Sequence, residues 1–155
     1  MSLPQKVAKL LFKKRKTVAL AESCTGGLLG HLLTNIPGSS DYFKLGLVTY
    51  SYESKEKLLK IPKSTLLRYG AVSEPVTKLM AQNARRILKT DFGIGITGIA
   101  GPAGATRDKP RGLTYVAVAT SRKVVCHRYL FHGSRLSVKT QAASQALKLL
   151  LNSLS

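Results

Sequence analysis

The sequence predicts an α/β layer fold on a mixed sheet, and three observations point to it. Short apolar runs of strand length alternate with longer stretches whose apolar residues recur at helical spacing. The last two runs, 113–120 and 124–131, are separated only by Ser121, Arg122 and Lys123. That is a hairpin-length connection, so the sheet is mixed rather than all parallel. Finally, 155 residues at 44% hydrophobic and 21% charged describe one globular domain, 1–155, with material for a core.

The elements follow in order. Residues 4–14 form a short amphipathic helix, with Val7, Leu10, Leu11 and Lys14 at helical spacing. Residues 17–21 read as a buried strand, followed by Glu22-Ser23-Cys24-Thr25-Gly26-Gly27 and an apolar helical run, 28–36, closed by Pro37-Gly38. Residues 46–50 read as a second strand and 51–59 as a helix. Ser73-Glu74-Pro75 starts another helix, with a capping hydroxyl and proline in the first turn. Its inner face is Val76, Leu79, Met80, Asn83, Ala84 and Ile87. Residues 92–97 are a third strand running into a glycine-rich loop, 98–106. After the hairpin, a closing helix turns Val138, Ala142, Ala146, Leu149 and Leu150 inward. No repeat, linker or low-complexity tract interrupts the pattern.

Composition narrows the function. Two cysteines, Cys24 and Cys126, are too few for a disulfide framework or a four-thiolate metal site. Three histidines, none paired at ligand spacing, disfavour structural zinc, so no metal or cofactor is expected. No apolar run approaches the ~18 residues of a membrane span, and the N-terminus lacks a signal peptide's apolar stretch. The expectation is a reduced, cytoplasmic domain without a membrane partner. With 25 Lys+Arg against 7 Asp+Glu, the net charge of +18 invites a nucleic-acid reading. Its distribution argues against one. Only Lys13-Lys14-Arg15-Lys16 is dense, the other cations are scattered, and no aromatic residues interleave with them as stacking platforms. Solvated basic faces are the expectation; the same charge also attracts small phosphorylated ligands.

In open α/β sheets, ligands gather at the carboxyl ends of strands, and four informative segments fall there. In the first, Ser23 stands at a strand end and Gly26-Gly27 opens a helix, where free amides can hold a phosphate or an oxyanion. Ser23 is a candidate nucleophile, although Ser23 or Thr25 as a helix N-cap is the simpler reading. Cys24, with no histidine near it in sequence, reads as a buried structural thiol. The second segment supplies Tyr50 and Lys55. If Ser51 caps the helix, Lys55 sits near its first turn, where the helix dipole, Lys57 and Lys60 disfavour an ammonium and Glu53 and Glu56 oppose them. It is a candidate base, or simply a surface lysine. The third, Thr97 to Thr106 with Gly98, Gly101 and Gly104, lets backbone approach a ligand without matching a dinucleotide or P-loop spacing. The fourth offers Arg135, suited to a phosphate or carboxylate. His127 and His132 read as half-buried structural histidines.

These segments, in this order, resemble the C-terminal domain of the CinA family, the competence-damage-inducible proteins that include nicotinamide mononucleotide deamidase. The resemblance is carried by Ala21–Gly27, Pro37-Gly38-Ser39-Ser40, Val48-Thr49-Tyr50-Ser51, Gly70–Glu74, Thr97–Pro102, Lys109-Pro110 with Gly112, and Phe131–Arg135. It implies a three-layer α/β/α fold with a mixed, mostly parallel five-stranded sheet, a homodimer, and the domain standing alone without the family's larger N-terminal domain. It also implies a metal-independent amidohydrolase that converts nicotinamide mononucleotide to nicotinate mononucleotide and ammonia. The matching site positions are Ser23, Tyr50, Lys55, Thr97 and Arg135. Tyr52 and Ser54 replace the usual neighbours of that lysine, Ala105 stands where glycine is usual, and Arg111 replaces a small apolar residue. The expected chemistry is a serine–lysine acyl transfer, with Ser23 attacking, Lys55 as base, and Tyr50 and Thr97 positioning. The amides of Cys24 to Gly26 would form the oxyanion hole, with Thr25 and Gly26 lining the substrate site. Arg135 and the loop of Gly98 and Gly101 would take the phosphate. Two rival expectations are a catalytically silent pyridine-nucleotide binder and a basic nucleic-acid-binding accessory.

Overall fold

The computed structural model describes residues 1–155. The elements are α1 (Leu3–Lys14), β1 (Val18–Glu22), α2 (Leu28–Thr34), β2 (Phe43–Val48), α3 (Tyr52–Leu59), α4 (Lys63–Tyr69), α5 (Glu74–Leu88), β3 (Phe92–Gly98), β4 (Leu113–Ala119), β5 (Val124–Leu130) and α6 (Arg135–Leu154). The strands form one five-stranded sheet in the order β2-β1-β3-β4-β5. β1 is parallel to both β2 and β3, and the β3–β4 and β4–β5 pairs are antiparallel. Helices cover both faces, giving the three-layer mixed α/β fold that the sequence predicts.

The two faces are built from residues of different size, because side chains alternate across a strand. Val18 and Leu20 of β1, Phe92, Ile94 and Ile96 of β3, and Val116 and Val118 of β4 belong to the larger core. There they meet Val7 and Leu11 of α1, Leu29 and Leu33 of α2, and the inner face of α6. The opposite face of the same strands carries Ala19 and Ala21, Gly93 and Gly95, and Ala117 and Ala119. α5 lies against this flat surface. A Cβ at Gly93 would overlap the Ala81 carbonyl oxygen, and one at Gly95 would lie 2.6 Å from that of Thr77. The helix backbone therefore rests directly on the sheet.

Several local expectations change. The second strand starts at Phe43 rather than 46 and stops before Tyr50. It is an edge strand, with Leu45 and Leu47 half-buried between exposed Lys44, Gly46 and Val48, so its signal is alternation rather than a continuous apolar run. α4 has no counterpart in the sequence reading, since it buries only Leu66. The inner face of α5 is Val76, Thr77, Met80, Ala81 and Ala84. Ile87 is 47% exposed, because the close approach of α5 to the glycines favours small residues in the contact. The Ser73 hydroxyl does not cap α5 but donates to the Gly70 carbonyl at 2.7 Å. His127, on the edge strand β5, and His132 are exposed rather than half-buried.

Gly93→Ala tests the close packing. Overpacked core sites lose about 1–3 kcal/mol, and here the obstruction is backbone, which cannot rotate away. We expect a loss near the upper end of that range, read as a lower denaturant midpoint.

Candidate active site

Because β1 and β3 run parallel in register, with Glu22 opposite Ile96, they deliver Ser23 and Thr97 to the same end of the sheet. β2 ends beside them. Gly26 and Gly27, at φ +60° and +101°, adopt left-handed conformations that reverse the chain into α2. Neither Ser23 nor Thr25 caps that helix: its N-cap is Gly27, with no side-chain bond. Thr25 instead donates its hydroxyl to Glu22 at 2.6 Å. The same carboxylate, 2% exposed, accepts from the amides of Leu29 and Gly30, each at 3.0 Å. Glu22 therefore staples the end of β1 to the first turn of α2 and fixes the turn that carries Ser23. The sequence reading passed over Glu22. Its signal was a carboxylate closing an otherwise apolar strand.

Lys55 reaches the site from α3. Ser51 caps this helix with a reciprocal bond pair, its hydroxyl accepting from the Ser54 amide at 3.0 Å and its amide donating to the Ser54 hydroxyl at 3.1 Å. The side chain of Lys55 is fully buried. Its Nζ lies 3.0 Å from Ser23 Oγ, 2.5 Å from the Thr49 carbonyl and 3.4 Å from the Tyr50 carbonyl. Burial pushes the amine down to about 8, with a smaller opposing influence from Cys24. The cause is thus loss of water around the ammonium rather than the dipole or neighbouring lysines. Glu53 and Glu56 are exposed on the outer side of α3, and Glu53 pairs with Lys57 at 2.7 Å. The alternative of a surface lysine is excluded. Burial also raises the Cys24 thiol to about 11, which leaves it protonated and unreactive.

The pair opens onto a cavity of about 210 Å³. Ser23, Tyr50, Lys55, Thr97 and Arg135 all line it, as do Gly98 and Gly101. Thr97 is buried and its hydroxyl bonds to no protein group; Tyr50 is 58% exposed at the mouth. Arg135 begins α6 and spans the rim, donating to the Gly101 carbonyl at 2.7 Å and to the Tyr50 hydroxyl at 2.9 Å. Arg111 packs its stem over Gly101, which has a left-handed φ of +83°. Thr25 and Gly26 stand behind the turn rather than in the cavity wall. The Gly26 amide is spent on the Ser23 carbonyl at 3.0 Å, so among the three expected oxyanion donors it is unavailable. The amides of Cys24 and Thr25 bond to no backbone carbonyl. No group of three His, Cys, Asp or Glu side chains converges anywhere in the chain, and no helix is long and apolar enough to cross a membrane.

Fold and site together define a three-layer α/β domain with a buried hydroxyl–amine pair at the ends of its parallel strands. Residues 1–154 match the CinA C-terminal domain, and the chain belongs to that family. It is 50% identical over 145 residues to a putative competence-damage inducible protein of Moorella thermoacetica, covering 94% of this chain and 35% of that one. Against a protein of the same description from Thermoanaerobacter pseudethanolicus it is 48% identical over 141 residues, 91% of this chain and 34% of the other. The chain thus spans about a third of the length of the curated relatives it matches. Crystal structures agree over nearly the whole chain. Competence damage-inducible protein A from Klebsiella pneumoniae superposes with a TM-score of 0.95 at 30% identity, covering 98% of this chain and 94% of that one. A CinA superfamily protein from Enterobacter cloacae gives 0.94 at 35% identity, with 99% and 90% covered.

The buried amine makes a prediction about stability. Below pH 8 the folded protein bears the full cost of an ammonium that the unfolded chain keeps in water. Between pH 8 and 10.5 that cost fades, because there only the unfolded chain still binds the proton. Lys55→Met removes this dependence. Its stability relative to the wild type should fall by about 2 kcal/mol between pH 7 and pH 10, given about 1.4 kcal/mol per unit of displaced pKa. Chemical denaturation of both proteins at the two pH values measures it.

Proposed function

We propose that the domain is an amidohydrolase acting on the carboxamide of nicotinamide mononucleotide, with Ser23 as nucleophile and Lys55 as base. The observation that carries this reading is the 3.0 Å approach of the Lys55 amine to Ser23 Oγ. A neutral amine has two hydrogens and one lone pair. With the hydrogens given to the carbonyls of Thr49 and Tyr50, the lone pair is left for the Ser23 hydroxyl. An ammonium would instead donate to all three oxygens and hold the serine proton in place. With its amine near 8, Lys55 holds the productive neutral state as a minor share at pH 7 and as the main form at mildly alkaline pH.

In the first half-reaction Ser23 Oγ bonds to the carboxamide carbon as its proton passes to Lys55. The resulting oxyanion is held by the amide of Cys24, the residue after the nucleophile and part of the cavity wall. Collapse of the intermediate breaks the C–N bond, and Lys55 returns the proton to the departing ammonia. Water then attacks the acyl-serine, giving one proton to Lys55, which passes it to Ser23 Oγ as the C–O bond breaks; the acid so formed loses water's other proton to solvent and leaves as the carboxylate. The cavity suits the ring and its amide, since a void of ~150 Å³ already accepts a benzene ring. The sugar phosphate then points to the rim, where Arg135 keeps the rest of its five donors free. Tyr50 and Thr97 position the amide, and Glu22 holds the turn.

Purified protein incubated with nicotinamide mononucleotide should release ammonia. Ser23→Ala should lower kcat by 10³-fold or more, an expectation scaled on losses of nucleophiles in acyl transfer. The kcat/KM profile should rise with pH and level off above about 8, as Lys55 loses its proton. Binding of the nucleotide without ammonia release would identify a silent binder instead.

A further inference from the structure

The cations that look scattered in the sequence are gathered by the topology. β4 runs antiparallel to β3, with Ala119 opposite Gly93, so the hairpin of Ser121, Arg122 and Lys123 lies at the end of the sheet remote from Ser23. α5 ends at the same pole, because only 89–91 separate it from the start of β3. Arg15 and Lys16 enter β1 there as well. Between the end of α5 and the hairpin is a cleft of about 230 Å³. It is lined by Gln82, Arg85, Arg86, Arg122, Lys123 and two hydroxyl residues of the hairpin, with no apolar side chain.

Four cations from two separate elements thus converge on one polar space, and no carboxylate faces it. The chain has seven acidic residues. Asp91, in the short connection from α5 to β3, is committed to Thr17, accepting from its amide at 2.9 Å and its hydroxyl at 3.1 Å. It also faces Lys16 at 3.5 Å. Within the cleft each helix arginine spends one nitrogen on a neutral oxygen, Arg85 on the Thr90 carbonyl at 3.0 Å and Arg86 on Asn83 at 3.2 Å. Capping the end of α5 accounts for those two arginines. It does not account for Arg122 and Lys123, which approach them from the hairpin against like-charge repulsion. An anion between the two pairs would relieve that repulsion.

We propose that this cleft binds the phosphate backbone of duplex nucleic acid, independently of the reaction at Ser23. Guanidinium forks match phosphate oxygens. Lys60, which borders the neighbouring hollow with Arg86, together with Lys89 at the C-cap of α5, extends the positive surface beyond what one small anion would neutralise. No aromatic residue lines the cleft, so stacking of unpaired bases is not provided for. Recognition through the backbone alone predicts binding without sequence preference.

Fluorescence anisotropy with a labelled duplex of about 20 base pairs, from 50 to 200 mM KCl, tests the proposal. The variant R86E/R122E reverses two exposed cleft charges, and K6E/K9E makes the same change in net charge on α1, in the opposite layer. R86E/R122E should weaken binding at least tenfold at low salt and flatten the log–log salt slope by about 2. K6E/K9E should stay within about threefold of the wild type, and Ser23→Ala should bind as the wild type does. Equal losses in the two charge variants would overturn the assignment of the cleft. So would absence of duplex binding at 50 mM salt, or tighter binding to phosphatidylglycerol vesicles than to duplex.

Discussion

A lysine amine held out of water beneath a serine hydroxyl is the constraint on which the site depends. Burying an ammonium is costly, and the protein supplies no carboxylate to offset it. What it supplies is two backbone carbonyls and a hydroxyl, the partners of an amine that has shed its third proton. The same burial that makes Lys55 expensive as a cation makes it available as a base near neutral pH. Cys24, one position beyond Ser23, shows the complementary effect, since loss of water drives its thiol toward the neutral form too. One dry environment thus readies the amine and silences the thiol.

That environment is a product of the sheet's two unlike faces. Small residues on one side of β1, β3 and β4 let α5 settle onto the strands, while larger residues on the other side carry α1, α2 and α6. α3 joins the small-residue side through Leu59, which packs in the same cluster as Ala19 and Ala21. Its Ser51 cap then sets where Lys55 enters. Glu22 performs the corresponding task for Ser23 from β1. The two reactive atoms therefore meet because two local devices, a helix cap and a buried carboxylate staple, are mounted on neighbouring strands.

Much of this was legible in the sequence. The terminal hairpin, the strand at 92–97 and the long inner face of α6 all stood out through apolar spacing, and a cap at Ser51 was anticipated from residue type. The alternation of small and large residues in Val18-Ala19-Leu20-Ala21 and in Phe92-Gly93-Ile94-Gly95 was also present, and it foretells which face receives the closest helix. Other features depended on distances along the chain that spacing does not encode. Lys55 looked like one more cation on a basic helix, because its burial is created by Thr49 and Ser23 from other segments. Gly26 looked like an oxyanion donor, yet its amide closes the turn. The edge strand β2 was misplaced because half of it faces water. The basic residues at 85–89 and 122–123 appeared unrelated until antiparallel pairing brought their segments to one pole.

The central claim concerns a single proton, and it can be read at the atom that carries it. With ¹³C-labelled lysine, assigned by comparison with Lys55→Met, the Cε resonance of Lys55 can be followed across a pH titration. The account predicts a midpoint near 8, well separated from the other lysines. A midpoint above 10 would mean that the amine stays an ammonium through the mildly alkaline range as well, and the serine would then have no base beside it.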